Sequence, residues 1–192
     1  MALTRIQATL ARLFTDAPFR ASFFADPIAV GGSLGLEPSE ASALAELSAD
    51  AVEQFAASIR RKRLDDVRKV LPLTANALGE AFDRHVLGTI VGTVRPGRHR
   101  DDARALVDHL CRLSRSNELA PPWAADLARY EATFVDARQR SVCVLVRRFH
   151  FPVARLAAAI VCGASIGNIE PRRTISVWLR VPGRRGISHR IW

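Results

Sequence analysis

Apolar residues recur every three or four positions along the middle of the chain, which is the spacing of a helix that packs one face on a core. The stripe consists of Val52, Phe55, Ile59, Leu64, Val67 and Leu71. Pro72 disfavours helical geometry at the residue before it, so we expect this helix to end or kink there. The pattern then predicts a second helix, capped by Thr74 and continuing to about Ile90. The inward face of this second helix consists of Leu78, Phe82 and Val86.

Shorter helices are predicted on both sides of the proline hinge. A first helix spans residues 3–14, and Asp16, Asp26 and Glu37 mark the starts of three more, each with a proline close behind. A further inward stripe consists of Ala105, Leu106, Leu110 and Leu113. Trp123 follows two prolines and introduces a final long helix, and we expect it to be a core anchor.

The periodicity changes in the last quarter of the chain, where strands are predicted. Residues 142–146 form a β-branched run typical of a strand covered on both faces. Residues 174–181 alternate apolar with polar side chains, and residues 187–192 alternate on the return after a Pro-Gly turn. Pairing Val181 with Ile187 places the apolar residues of this hairpin on one face. The other face then carries Trp178, Arg180, Arg190 and Trp192.

The predicted fold class is therefore α+β and mainly α, with an N-terminal multi-helix bundle followed by a small C-terminal antiparallel β-sheet. We divide the chain into a helical body, residues 1–137, and a sheet region, residues 138–192. A chain of 192 residues with 48% hydrophobic content is long enough to bury a core. The N-terminus lacks the unbroken apolar run of a signal peptide, and no later stretch is predicted to span a bilayer, so we expect a cytoplasmic protein without membrane contacts.

The formal net charge of +9 comes almost entirely from arginine, and such a balance favours anionic partners. An alternative interpretation, which carries equal weight, is that the arginines only solvate helix faces. The polar flank of the long helix is particularly basic. It carries Arg60, Arg61, Lys62, Arg63, Arg68 and Lys69.

The sequence gives no positive reason to predict an enzyme. It has no Gly-rich phosphate loop after a strand, no nucleophile elbow and no zinc-protease helix motif. Its three cysteines, Cys111, Cys143 and Cys162, stand at no metal-ligand spacing. His85 and His109 do not complete a convergent set with Cys111, because a metal site needs at least three ligands. We therefore expect no catalytic residue, metal or cofactor in this chain.

Several stretches, taken together, carry a family resemblance. They are Leu71-Pro72-x-Thr74 with Leu78-Gly79-x-x-Phe82, then Pro121-Pro122-Trp123-x-x-Asp126-Leu127-Ala128-Arg129-Tyr130-Glu131, then Phe149-x-Phe151-Pro152-Val153-x-x-Leu156 and the hairpin that begins near Val177-Trp178. In their order and separations these stretches resemble the HvfC/BufC family, which has carried a DNA-binding label.

The resemblance implies a partner protein for a multinuclear non-haem iron-dependent oxidative enzyme that modifies ribosomal peptides (RiPP biosynthesis). The iron would belong to the enzyme. In the family the small sheet resembles a RiPP recognition element, which takes the leader peptide of the precursor as an added strand. The candidate peptide-binding residues are Arg147, Arg148, Trp178, Arg180, Arg190 and Trp192. The candidate enzyme contacts are Arg60, Arg61, Arg63 and Arg68.

Two other functions stay open at this point. A DNA-binding regulator would place the Arg-rich helix on phosphates and use the hairpin as a wing, and its affinity would fall steeply with salt. Against it, no short helix presents Asn, Gln or Ser in a pattern suited to reading base edges. A helical structural protein without a specific ligand is the third possibility.

Overall fold

The computed structural model describes residues 2–90, 99–139, 142–167, 169–181 and 186–192. The helices before the sheet are α1 (Ala2–Thr15), α2 (Ala17–Ala25), α3 (Pro27–Ser33), α4 (Pro38–Ala45), α5 (Ala49–Val70), α6 (Pro72–Leu78), α7 (Glu80–Ile90), α8 (His99–Arg115) and α9 (Ala124–Gln139). They are followed by β1 (Cys143–Phe149), α10 (Val153–Val161), β2 (Thr174–Arg180) and β3 (Ser188–Ile191). The predicted α+β, mainly α class is confirmed. None of the helices in the described ranges combines the length and hydrophobicity that crossing a bilayer requires.

The chain forms two compact units. The N-terminal unit contains residues 2–64 and Ile90, and the C-terminal unit contains residues 65–89 and the described residues from 99 onward. This division differs from the predicted boundary between residues 137 and 138. The reason is that α9 packs against β1 and β2, so the last long helix and the sheet share one compact unit.

Side-chain caps define the short helices of the N-terminal unit. An Asp16 carboxylate oxygen accepts a hydrogen bond from the Phe19 N–H at 3.0 Å, and Asp26 accepts one from Ala29 at 3.0 Å, so both predicted caps are confirmed. The buried core consists of Leu13, Phe19, Phe23, Leu36, Leu44 and Val52. Phe55 departs from the predicted inward stripe. It is half-exposed and packs its ring edge-on against Phe14, with 4.7 Å between the ring centroids.

Two adjacent glycines in α3 give a matched test of this packing. A Cβ on Gly31 would lie 2.7 Å from the Ala41 Cβ in α4, whereas a Cβ on Gly32 would meet nothing within 4 Å. We expect Gly31→Ala to lower the free energy of unfolding by about 2 kcal/mol, because α4 has to move away. We expect Gly32→Ala to raise it by about 0.5 kcal/mol through helix propensity. Urea titrations of both variants test this, and equal effects would contradict the close α3–α4 contact.

The proline hinge of the C-terminal unit is a helix start. Pro72 is the first residue of α6, and Gly79, with φ of 54°, separates α6 from α7. The predicted single helix from Thr74 to Ile90 is therefore two helices, because a residue at positive φ interrupts the helical geometry. The predicted inward residues Leu78, Phe82 and Val86 are buried. The predicted core anchor Trp123 is also buried.

The three strands form an antiparallel sheet in the order β1-β2-β3. Val146 pairs with Val177 across β1 and β2, and Trp178 pairs with His189 across β2 and β3. This register is one residue away from the predicted pairing of Val181 with Ile187. Because side chains alternate along a strand, a shift of one residue moves the side chains of β3 to the opposite face relative to those of β2. Trp178 lies on the face that packs on α9 and is fully buried, which corrects its predicted place on an open face.

One face of the sheet packs on α9 and the other is open. Leu145, Phe149 and Trp178 form the buried side, together with Tyr130 and Phe134 of α9. The predicted burial of β1 on both faces is wrong, because Val144 and Val146 are 65% and 51% exposed. The continuous apolar run therefore supplies a core on one side and an apolar surface on the other.

Candidate functional site

The open face of the sheet, called here the outer sheet face, carries five of the exposed large apolar side chains of the described residues. It consists of Val144, Val146 and Arg148 of β1, Ile175, Val177 and Leu179 of β2, Ser188 and Arg190 of β3, and Trp192. Val144 lies opposite Leu179, and Val146 lies opposite Val177, so the apolar side chains are contiguous. Exposed apolar surface of this kind marks an interaction site.

The charge of the sheet has one sign. None of the three strands contains an aspartate or glutamate. Arg148 and Arg190 are exposed and lie on the outer sheet face, at opposite edges of the sheet. Trp192 also lies on this face and is 67% exposed. These three candidate peptide-binding residues therefore share one surface.

The other three candidate peptide-binding residues lie on the inner side of the sheet. Trp178 is part of the core, in ring contact with Phe134 and His189. Arg147 is half-buried, and its guanidinium donates to its neighbour's carbonyl, that of Val146, at 3.0 Å. Arg180 donates to the carbonyl of Arg138 at the end of α9. The predicted grouping of Trp178 and Arg180 with Arg190 and Trp192 is thus divided between two faces by the change of register.

A groove runs beside the free side of β1. Within the described residues, no strand pairs with β1 on the side away from β2. The groove is lined by Arg104, Val107 and Asp108 of α8, Arg129, Ala132, Thr133 and Asp136 of α9, and Arg147 of β1. An Arg104 Nη donates to Asp136 at 2.7 Å, and this bond raises the pKa of Arg104. Arg129 is also paired, since it donates to Asp126 at 3.0 Å, whereas Arg147 donates only to a backbone carbonyl among the described residues.

The candidate enzyme contacts on α5 are mostly engaged by the protein itself. Arg60 donates to Glu53 at 2.7 Å, and this hydrogen bond lowers the pKa of Glu53. Arg63 donates to the Ile90 carbonyl at 3.2 Å. Arg68 donates to Asp83 at 2.5 Å. Arg61 is exposed to solvent.

Two buried carboxylates of α9, those of Glu131 and Asp126, hold parts of the C-terminal unit together. Glu131 accepts hydrogen bonds from the backbone N–H of Leu73 at 2.7 Å and of Thr74 at 2.8 Å, and from the Thr74 hydroxyl at 2.6 Å. Thr74 therefore donates its hydroxyl to Glu131, and Leu71 occupies the N-cap position instead. Burial raises the pKa of Glu131, and its three donors oppose that rise. The carboxylate in effect caps α6 from a neighbouring helix.

Asp126 anchors the end of β1 in the same way. One of its oxygens accepts from the N–H groups of His150 at 2.6 Å and Phe151 at 3.1 Å, and the other accepts from Arg129 at 3.0 Å. Both carboxylates belong to the stretch from Pro121 to Glu131 that carries the family resemblance. Helical spacing alone does not reveal such bonds, because the partners lie 24 to 58 residues away along the chain.

A histidine pair lies between α7 and α8. His85 Nδ1 and His109 Nε2 are 3.2 Å apart, and burial lowers the pKa of both side chains. Burial also lowers the pKa of His189, which stacks near Trp178. No group of three or more His, Cys, Asp or Glu side chains that could hold a metal ion occurs in the part of the chain that the structure describes.

The histidines make stability depend on pH. Their ordinary pKa is 6.5, and in the folded protein it is lower, so the unfolded chain binds protons first as the pH falls. We expect the free energy of unfolding to decrease from about pH 7 to about pH 5. Urea titrations across this range measure the slope. The double variant His85→Gln/His109→Gln is expected to flatten it, and an unchanged slope would show that the pair does not contribute.

The features that bear on function are the outer sheet face, the free edge of β1 and the groove between β1, α8 and α9. No family model, curated protein or solved structure matches the chain.

Proposed function

We propose that this chain is a non-catalytic partner protein that binds a ribosomal precursor peptide and presents it to a multinuclear non-haem iron-dependent oxidative enzyme. The observation that carries the proposal is the seven-residue strand β1, with one side free in the described residues and a groove lined by Arg147 beside it. The motif resemblance supplies the class of enzyme. In this proposal the protein is cytoplasmic, the chain holds no cofactor and the iron belongs to the enzyme.

An unpaired strand edge can bind an extended peptide through main-chain hydrogen bonds. Successive side chains of the added strand would point alternately to the groove and to the outer sheet face. Arg147 lines the groove and Arg148 lies on the outer sheet face. An acidic side chain on either side of the added strand would therefore lie near a guanidinium. An acidic leader peptide fits this arrangement, and the charge would raise its association rate more than its affinity.

The Arg-rich flank of α5 is the proposed contact for the enzyme. Arg61 is its most available candidate, because Arg60 and Arg68 already bond to carboxylates. The same pairing weakens the alternative of a DNA-binding regulator. A phosphate contact by Arg60 or Arg68 would have to displace an intramolecular carboxylate.

The proposal expects a short cysteine-bearing precursor peptide and an iron-dependent oxidative enzyme to be encoded next to this gene, and the test measures the binding of such a peptide to the purified protein. Two versions of its leader carry backbone N-methyl groups, one on the odd residues and the other on the even residues. In an added strand only one of these sets of N–H groups bonds to β1, so we expect one version to lose affinity about tenfold or more while the other retains it.

Amide hydrogen exchange locates the bound peptide. We expect the peptide to slow exchange in residues 143–149 and co-purification with the neighbouring iron enzyme to depend on this protein. Equal affinities of the two methylated leaders, or protection outside β1, would rule out strand addition at this edge. If the leader binds but no enzyme associates, the protein would bind the peptide without presenting it to the enzyme.

A further inference from the structure

The outer sheet face is a separate surface from the edge of β1, and a strand added at that edge would not cover it. The added strand lies beside β1 in the plane of the sheet, whereas the apolar side chains of Val144, Val146 and Val177 project from that plane. The remaining exposed large apolar residues of the described chain lie on helices, except Leu47, which lies between α4 and α5, and two residues next to the sheet. They are Leu3, Ile28, Leu47, Phe55 and Val161, with Val142 and Val181 next to the sheet.

The dimensions of the face fit one helix. Strands about 4.8 Å apart place β1 and β3 roughly 10 Å from each other, which is about the diameter of an α-helix. The seven residues of β1 extend about 23 Å, the length of about 15 helical residues. Four of the apolar side chains, Val144, Val146, Ile175 and Val177, are β-branched and together form a surface on which a helix can pack.

The charge of the face selects the kind of helix. Arg148 and Arg190 lie at its two edges, and no strand carries an acid. A helix with an apolar stripe and acidic residues on both flanks would bury the stripe on the valines and place a carboxylate near each guanidinium. A second copy of this chain would instead bring arginines against arginines, which is unfavourable.

We propose that the outer sheet face binds an acidic amphipathic helix of a partner protein. The helix lies along β1 and β2, with its apolar stripe on Val144, Val146 and Leu179 and its acids towards Arg148 and Arg190. This proposal goes beyond the binding of an extended peptide at the edge of β1, and either proposal can fail without the other.

The probe is a designed helical peptide of about 18 residues, long enough at about 1.5 Å per residue to cover the face. Its leucine stripe is flanked by glutamates. Two control peptides have lysines in place of the glutamates, or the same composition in scrambled order. Fluorescence anisotropy with the full chain measures the affinities. We expect the acidic amphipathic peptide to bind at least about tenfold more tightly than either control.

Variants then locate the binding. Val146→Asp is expected to weaken the binding of the acidic peptide about tenfold or more, because it puts a charge among the apolar side chains of the outer sheet face. Val144→Thr/Val146→Thr keeps β-branched residues in the strand and is expected to weaken binding in the same direction should Val146→Asp fail to fold. Val161→Asp is the matched control, since Val161 is 74% exposed on α10, and this variant is expected to bind the acidic peptide with the affinity of the wild-type chain.

Three results would overturn the proposal. The first is equal affinity for all three peptides or binding that the Val144 and Val146 variants do not change. The second is a dimer of the wild-type chain in light scattering that Val146→Asp dissociates, which would make a second copy the occupant. The third is co-sedimentation with phosphatidylglycerol vesicles that Val146→Asp abolishes while the acidic peptide does not bind, which would make the face a membrane contact.

Discussion

Replacing Trp178 by Ala is expected to lower the free energy of unfolding by about 4 kcal/mol, because a fully buried indole leaves a large cavity. Its ring contacts Tyr130 and Phe134 of α9 and Phe149 of β1, with centroids 5.6 to 6.4 Å apart. These rings join the helix to the sheet. Domains of ordinary size are stable by only about 5 to 15 kcal/mol, so the variant should be close to unfolding. Urea titration followed by far-UV circular dichroism measures the loss.

The chain offers a matched control for this substitution. Trp192 lies on the outer sheet face, and Trp192→Ala is expected to change the free energy of unfolding by less than about 0.5 kcal/mol. Trp178→Phe removes the indole N–H, which has no hydrogen-bond partner in the described residues, while keeping most of the aromatic volume. We expect it to cost about 1 kcal/mol, well below Trp178→Ala. An unchanged midpoint for Trp178→Ala would place the indole in solvent and mean that the sheet packs its other face on α9.

The hairpin shows why a strand can be predicted correctly while its buried face is predicted wrongly. The alternation in residues 174–181 predicts β2 correctly, but both of its faces contain large side chains. Choosing the face with Ile175, Val177 and Leu179 as the buried one follows from hydrophobicity alone. In the folded protein the single indole of Trp178 fits the aromatic cluster of α9, and the aliphatic face stays open. Such a choice depends on the packing partner, which the local pattern does not contain.

Helix positions were more predictable than the site. The caps at Asp16 and Asp26 and the start at Pro72 act within a few residues, so sequence spacing predicts them. The bonds of Glu131 and Asp126 join distant parts of the chain, and the partners of Arg60 and Arg68 lie 7 and 15 residues away. Predicting which arginines are free to bind a partner therefore requires the tertiary structure.

Replacing Glu131 by Ala is expected to lower the free energy of unfolding by about 3 kcal/mol, because it leaves buried donors at the start of α6 without their acceptor. The donors are the N–H groups of Leu73 and Thr74 and the Thr74 hydroxyl. Glu131→Gln keeps the side-chain volume but replaces one acceptor oxygen by a donor group, and we expect it to cost about 2 kcal/mol. Urea titrations at one pH compare the variants.

The exposed Glu118 is the matched control, and Glu118→Ala is expected to cost less than about 0.5 kcal/mol. A double-mutant cycle with Thr74→Val isolates the hydroxyl bond, and we expect the two substitutions to couple by about 1 kcal/mol, since contacting residues are not additive. Should Glu131→Ala instead match Glu118→Ala in stability and abolish co-purification with the iron enzyme, Glu131 would serve the partner rather than the fold. Loss of stability with coupling to Thr74 would instead establish that Glu131 of α9 holds the start of α6 in place.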